Sequence, residues 1–81
     1  MRISVKLFAA ARQIAGRDAV EVELPDAATV AALRQAIAQQ FPDLDRTARH
    51  CLFAVENQYA DDSTILVTGS EVACIPPVSG G

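Results

Sequence analysis

Apolar and polar residues alternate from the start of the chain. Ile3, Val5 and Leu7 are separated by Ser4 and Lys6, the period of a strand with one buried face. The period then becomes helical. Phe8, Ala11, Ile14 and Ala15 fall on one face, and Gly16 follows where a helix needs a left-handed closing residue. This predicts a short helix of about two turns. Val20, Val22 and Leu24 alternate with Glu21 and Glu23, a second strand closed by Pro25-Asp26. Thr29 is placed as an N-cap, and Val30, Leu33, Ile37 and Phe41 follow at helical spacing. Pro42 stops this main helix, because the residue before a proline is pushed out of helical geometry. The polar stretch from Asp43 to His50 reads as a loop. Cys51 to Val55 is an apolar run of strand length, interior to a sheet. Asn57-Gln58 reads as a turn before a short strand around Tyr59-Ala60. Asp61-Asp62-Ser63-Thr64 is a second turn cluster. Ile65 to Val67 is apolar without a clear period. Gly69-Ser70 turns the chain into a last strand, Glu71 to Ile75.

The order is strand, short helix, strand, main helix, strand, short strand, strand. It predicts an α+β domain with a mixed sheet, a β-grasp roll. In that arrangement the first and last strands are central, parallel neighbours. Ile3, Val5 and Leu7 are then buried beside Val72 and Cys74. Residues 1–75 form this domain, and residues 76–81 form an extended tail. No repeat, low-complexity segment or second domain interrupts the 81 residues.

The tail carries the strongest chemical signal. The chain has four glycines, and two of them are Gly80 and Gly81. At roughly 7% average usage, a chance Gly-Gly at one chosen place has odds of about one in two hundred. Pro76 and Pro77 precede them by a few residues. Proline gives no N–H to a ladder and favours an extended path, so the double proline is a stiff exit from the last strand. Val78, Ser79, Gly80 and Gly81 complete a slim tail, and a chain without Cβ atoms threads channels that side chains would block. Gly81 is expected to present a free α-carboxylate. Such a group is ionised at neutral pH and is a poor electrophile. It reacts only when activated, most simply as an acyl-adenylate made with ATP by another enzyme. A sulfur donor then yields a thiocarboxylate, or an amine yields an isopeptide.

Composition narrows the partners. Net charge is −3, with a single lysine, Lys6, and scattered arginines. No basic patch is available for phosphate backbones, so nucleic-acid binding is not expected. An acidic surface suits a basic protein partner. No apolar run reaches membrane-spanning length, and the N-terminus alternates too early for a signal peptide. A cytosolic protein is expected. Cys51 and Cys74 lack metal or redox spacing and read as small buried apolar residues. Their apolar flanks disfavour a persulfide-carrying role. His50 has no catalytic constellation around it, and Asp61-Asp62 read as turn residues rather than metal ligands. Glu21 and Glu23 share a strand face that reads as solvated, with an acidic docking surface as the lesser alternative. Phe8 and Tyr59 suit either the core or a partner-facing patch. No nucleophile–base pair, P-loop or metal cluster is visible, so no stand-alone catalysis and no bound cofactor are expected.

Several segments resemble the small, sulfur-carrying subunit of molybdopterin synthase. They are Val5-Lys6-Leu7-Phe8-Ala9-Ala10-Ala11-Arg12 with Gly16, Thr29-Val30 with Leu33-Arg34, and Ala54-Val55. The last are Gly69-Ser70-Glu71-Val72-Ala73 and the closing Pro76-Pro77-Val78-Ser79-Gly80-Gly81. The resemblance implies a ubiquitin-like β-grasp fold. It implies that Gly81 is adenylated by an enzyme related to ubiquitin-activating enzymes and converted to a thiocarboxylate. The tail then delivers sulfur to cyclic pyranopterin monophosphate in the large subunit of a heterotetramer. Phe8, Tyr59 and Ile75 would lie on the docking surface, with Pro76, Pro77, Val78, Ser79 and Gly80 in the partner's channel. Glu56 and Ser70 depart from the usual pattern, which has Asn after Ala-Val and Gly-Asp-Glu-Val before the last strand. Alternatives are a sulfur carrier for thiazole synthesis or tRNA thiolation, a ubiquitin-like protein modifier, and a non-catalytic interaction module. The Phe8–Ala15 segment argues against a thiazole carrier.

Overall fold

A computed structural model of the chain describes residues 1–77. Five strands form one sheet: β1 (Arg2–Leu7), β2 (Ala19–Glu23), β3 (Leu52–Val55), β4 (Gln58–Ala60) and β5 (Val72–Ile75). Three α-helices accompany them: α1 (Ala9–Ala15), α2 (Val30–Gln40) and α3 (Asp45–His50). The spatial order is β2-β1-β5-β3-β4. β1 and β5 run parallel, with Val5 opposite Val72 and Leu7 opposite Cys74, while β3 and β5 run antiparallel. The expected β-grasp arrangement is therefore present, with β5 at the centre.

Alternation decides which side chains meet. Ile3, Val5 and Leu7 of β1, Val20 and Val22 of β2, Phe53 of β3, and Val72 and Cys74 of β5 are buried on one face. Val30, Leu33 and Ile37 of α2, Ala48 of α3 and Ala11 of α1 join them in a single core. Thr29 caps α2 as its position predicts, its hydroxyl accepting from the Ala32 N–H at 3.2 Å. The unpatterned Ile65–Val67 stretch is extended alongside the entry to α2. Leu66 donates its N–H to the Ala28 carbonyl at 2.8 Å, and Thr64 accepts from Val30 at 2.9 Å. This pairing sinks Leu66 into the core and leaves Ile65 and Val67 exposed.

Three local expectations are corrected. Asp43 to His50 is not a loop: a 3-10 turn at Pro42–Leu44 leads directly into α3. Tertiary contacts hold this polar helix. The Arg34 guanidinium donates to the carbonyls of Ala48 and Cys51, both at 2.7 Å, and to the Asp62 carboxylate at 2.9 Å. It also lies 5.0 Å from the centre of the Phe53 ring. The turn between β3 and β4 falls at Glu56-Asn57, both with positive φ (51° and 65°), and not at Asn57-Gln58. Phe8 does not share the buried face of α1. It extends the β1 alternation instead, its N–H donating to the Cys74 carbonyl at 3.2 Å. Only Ala11 of α1 is buried, and Ile14 is 47% exposed.

Arg34→Met keeps much of the aliphatic packing and removes the donors. We expect it to destabilise the domain by about 2–3 kcal/mol, because two inward-facing carbonyls lose charged partners. The exposed Asp62 pairing contributes little to that loss. A urea melt with unchanged slope and lower midpoint would verify this.

Candidate functional site

Among the described residues, no helix covers the second sheet face. Arg2, Ser4 and Lys6 of β1 and Glu21 and Glu23 of β2 form its polar half. The Arg2 guanidinium bridges these carboxylates, at 2.8 Å to Glu23 and 3.6 Å to Glu21. The solvated reading of Glu21 and Glu23 therefore describes their setting: both are exposed and share one cation. Ala73 and Ile75 of β5, Leu52 and Ala54 of β3 and Tyr59 of β4 form the apolar half. Phe8 adjoins it from the end of β1. Between the halves lies an open depression of about 500 Å³, lined in part by Ser4, Lys6, Phe8, Ala54 and Ala73.

Tyr59 is 71% exposed, Leu52 53% and Phe8 44%. The choice between core and surface for Phe8 and Tyr59 thus falls to surface. Leu52 was not singled out by its residue type. A signal for it does exist in the run Cys51-Leu52-Phe53-Ala54-Val55. Such a run is apolar on both strand faces, and the helices cover only one of them. Concentrated exposed apolar residues of this kind mark contact surfaces.

The last residues of β5 lie at the edge of this patch. Ile75 is half-buried and paired with Leu52, and Pro76 follows at once. Without an N–H, Pro76 ends the ladder there. The strand leading to the tail is thus clamped on both sides, by β1 through Cys74 and by β3 through Ile75. Pro77 is exposed. Val78, Ser79, Gly80 and Gly81 lie outside the described residues.

The two unusual turn residues have local roles. Glu56 accepts from the Glu71 N–H through its carboxylate at 2.9 Å and donates its own N–H to the Glu71 carbonyl at 2.8 Å. It therefore fixes the approach to β5. The Ser70 hydroxyl accepts from the Val67 N–H at 3.1 Å, closing the turn before it. The remaining candidates stay structural. His50 is exposed at the end of α3. Asp61 accepts from the Ser63 hydroxyl at 2.6 Å and the Ser63 N–H at 3.0 Å, which holds its carboxyl below the usual range. No group of three or more potential metal ligands occurs among the described residues. Cys51 and Cys74 are free thiols and are buried as expected, but they also touch, with Sγ atoms 3.0 Å apart. No helix among the described residues is long and apolar enough to cross a membrane.

Comparison with known proteins agrees with this geometry. Residues 5–81 match the ThiS family model. The molybdopterin synthase sulfur carrier subunit of Chlamydomonas reinhardtii is 40% identical, with all of both chains aligned. Its namesake in Escherichia coli K12 is 42% identical over 98% of this chain and 99% of the relative. The crystal structure of small archaeal modifier protein 1 from Haloferax volcanii superposes with a TM-score of 0.85 at 29% identity, covering both chains completely. Sequence, fold and the exposed patch at the end of β5 lead to one assignment: the chain belongs to the ThiS family, alongside the sulfur-carrier subunits of molybdopterin synthase.

Proposed function

We propose that this chain carries sulfur as a thiocarboxylate on Gly81 and delivers it within molybdopterin synthase. The observation that carries the reading is the convergence of an uncovered apolar patch with the end of a doubly clamped strand, directly before Pro76-Pro77-Val78-Ser79-Gly80-Gly81. The Gly81 carboxylate attacks the α-phosphate of ATP in an adenylyltransferase of the ubiquitin-activating type, releasing pyrophosphate. A sulfide equivalent from a donor then displaces AMP and leaves the thiocarboxylate. That sulfur is transferred to cyclic pyranopterin monophosphate in the large subunit, building the dithiolene of molybdopterin. The assembly is a heterotetramer with a central large-subunit dimer. Phe8, Leu52, Tyr59 and Ile75 dock the partner, and Pro76 to Gly80 fill its channel. The chain supplies the reacting carbon and the docking face, and the partner supplies catalysis. The chemistry consumes ATP and belongs in the cytoplasm.

The decisive experiment is intact-mass spectrometry after incubation with the activating enzyme, ATP and a sulfur source. A gain equal to a sulfur-for-oxygen exchange at the C-terminus supports the reading. An unchanged mass with a competent activating enzyme refutes it. The likeness to a small archaeal modifier protein favours a second reading, attachment of Gly81 to lysines of other proteins. Higher-mass conjugates without thiocarboxylate would select it.

Docking predicts a separate result. Leu52→Asp places a charge in the apolar half of the face. It should weaken large-subunit binding by roughly 10- to 30-fold, as expected for loss of a contact worth about 1.5–2 kcal/mol. Calorimetric titration measures this, and the fold should be retained because Leu52 is exposed.

A further inference from the structure

The sulfurs of Cys51 and Cys74 are 3.0 Å apart, and both side chains are buried. Their meeting follows from register. Cys74 pairs with Phe53 across the β3–β5 ladder, and Cys51 lies two residues before Phe53. Period-2 alternation sends both thiols to the inner face. Their separation of 23 positions hides the contact in the sequence. To become a disulfide, the pair must close by about 1 Å, to an S–S bond of roughly 2.0 Å.

We propose that Cys51 and Cys74 form an oxidisable dithiol that a hydroperoxide converts to a disulfide within the folded chain. The balance is one hydroperoxide consumed for two thiols: Cys51 attacks the peroxide oxygen, becoming a sulfenic acid as the O–O bond breaks and the alcohol or water leaves. Cys74 then attacks the Cys51 sulfur, the S–O bond breaks, and the hydroxyl leaves as water with the Cys74 proton. The roles follow from the contacts. The Cys74 thiol donates to the Cys51 sulfur, which holds Cys51 below and Cys74 above the ordinary thiol range. Burial opposes the shift at Cys51 and adds to that at Cys74, while the Arg34 charge assists at Cys51. Cys51, whose carbonyl accepts from the Arg34 guanidinium at 2.7 Å, is assigned as the attacking sulfur on the strength of that neighbouring charge. Peroxide would have to enter by local opening of the chain around Cys51, where the six-residue α3 ends. The bond would brace β3 against β5 one residue before Ile75. It would also keep both sulfurs from irreversible oxidation.

The test uses the full chain, freed of reductant and titrated with hydrogen peroxide well below its melting temperature. The expected product is monomeric and lighter by two hydrogens. It has no titratable thiol, shows a Cys51–Cys74 cross-link in a non-reducing peptide map, and reverts with dithiothreitol. Cys51→Ser and Cys74→Ser each abolish the cross-link. The oxidised form should melt higher by on the order of 10 °C, since the bond closes a loop of intermediate length. Thiols that stay free, separate sulfinic acids or intermolecular dimers overturn the proposal. A lower melting temperature in the oxidised form also overturns it, because the strands would have had to distort.

Discussion

Deletion of Gly81 should abolish molybdopterin formation and leave thermal stability unchanged. One residue spans roughly 3.3–3.6 Å of extended chain, so the new terminal carbon, on Gly80, falls short by about that distance. A misplacement of about 1 Å can already cost 100-fold, and near-attack geometry requires the reacting atoms within about 3.5 Å. Loss of at least about 1,000-fold is therefore expected in both adenylation and sulfur delivery. Stability is insulated because the core extends only to Cys74 among the described residues. The measurement pairs intact-mass detection of the thiocarboxylate with assay of the dithiolene product. Substantial residual activity in the truncated chain would refute the Gly81 mechanism.

Phe53→Ala should produce the opposite separation. Phe53 is 1% exposed and heads the fully buried side chains by volume. Its removal deletes core contacts, leaves a cavity, and takes away the ring beneath Arg34. A cost of about 3–5 kcal/mol is expected. A domain of this size holds roughly 4–12 kcal/mol in total, so the variant should be partly unfolded at 37 °C. Chemical denaturation against the unaltered chain gives the value. The neighbouring Leu52→Asp supplies the contrast. Adjacent residues on opposite faces of β3 should separate stability from binding, because one packs inward and the other outward.

The regular parts of this fold were legible because alternation and punctuation agreed. Ile3, Val5 and Leu7 announced β1, Thr29 announced the start of α2, and Pro42 announced its end. The pairing of β1 with β5 followed from the order of elements. What stayed hidden depends on contacts distant in sequence. α3 carries Asp45 at its start and Arg49 and His50 at its end, as a helix should. Its polarity nevertheless masked it, and its carbonyls are held by Arg34 from another helix. Phe8, the first residue of the helical period in the sequence, obeys the strand period instead, one residue beyond Leu7. Leu52 was visible in the run Cys51 to Val55, but its direction needed the sheet. The tail is the reverse case: the proposal for its chemistry rests on composition and order alone, at Pro76-Pro77 and Gly80-Gly81.

The position of β5 also governs when the exposed apolar face is completed. Without β5 the sheet is two separate hairpins, β1–β2 on one side and β3–β4 on the other. During synthesis β5 is the last of the described strands to emerge, and its pairing with β1 joins segments at nearly opposite ends of the described chain. That contact carries the largest loop-closure cost, so the sheet completes late. Ile75 joins the exposed apolar patch only when this step is finished. On the proposed function, an activating enzyme that recognised the patch would therefore select folded molecules. Full-length but misfolded chains carry the same Gly80-Gly81 and would be passed over, so on the proposed function sulfur would be loaded only onto carriers able to deliver it.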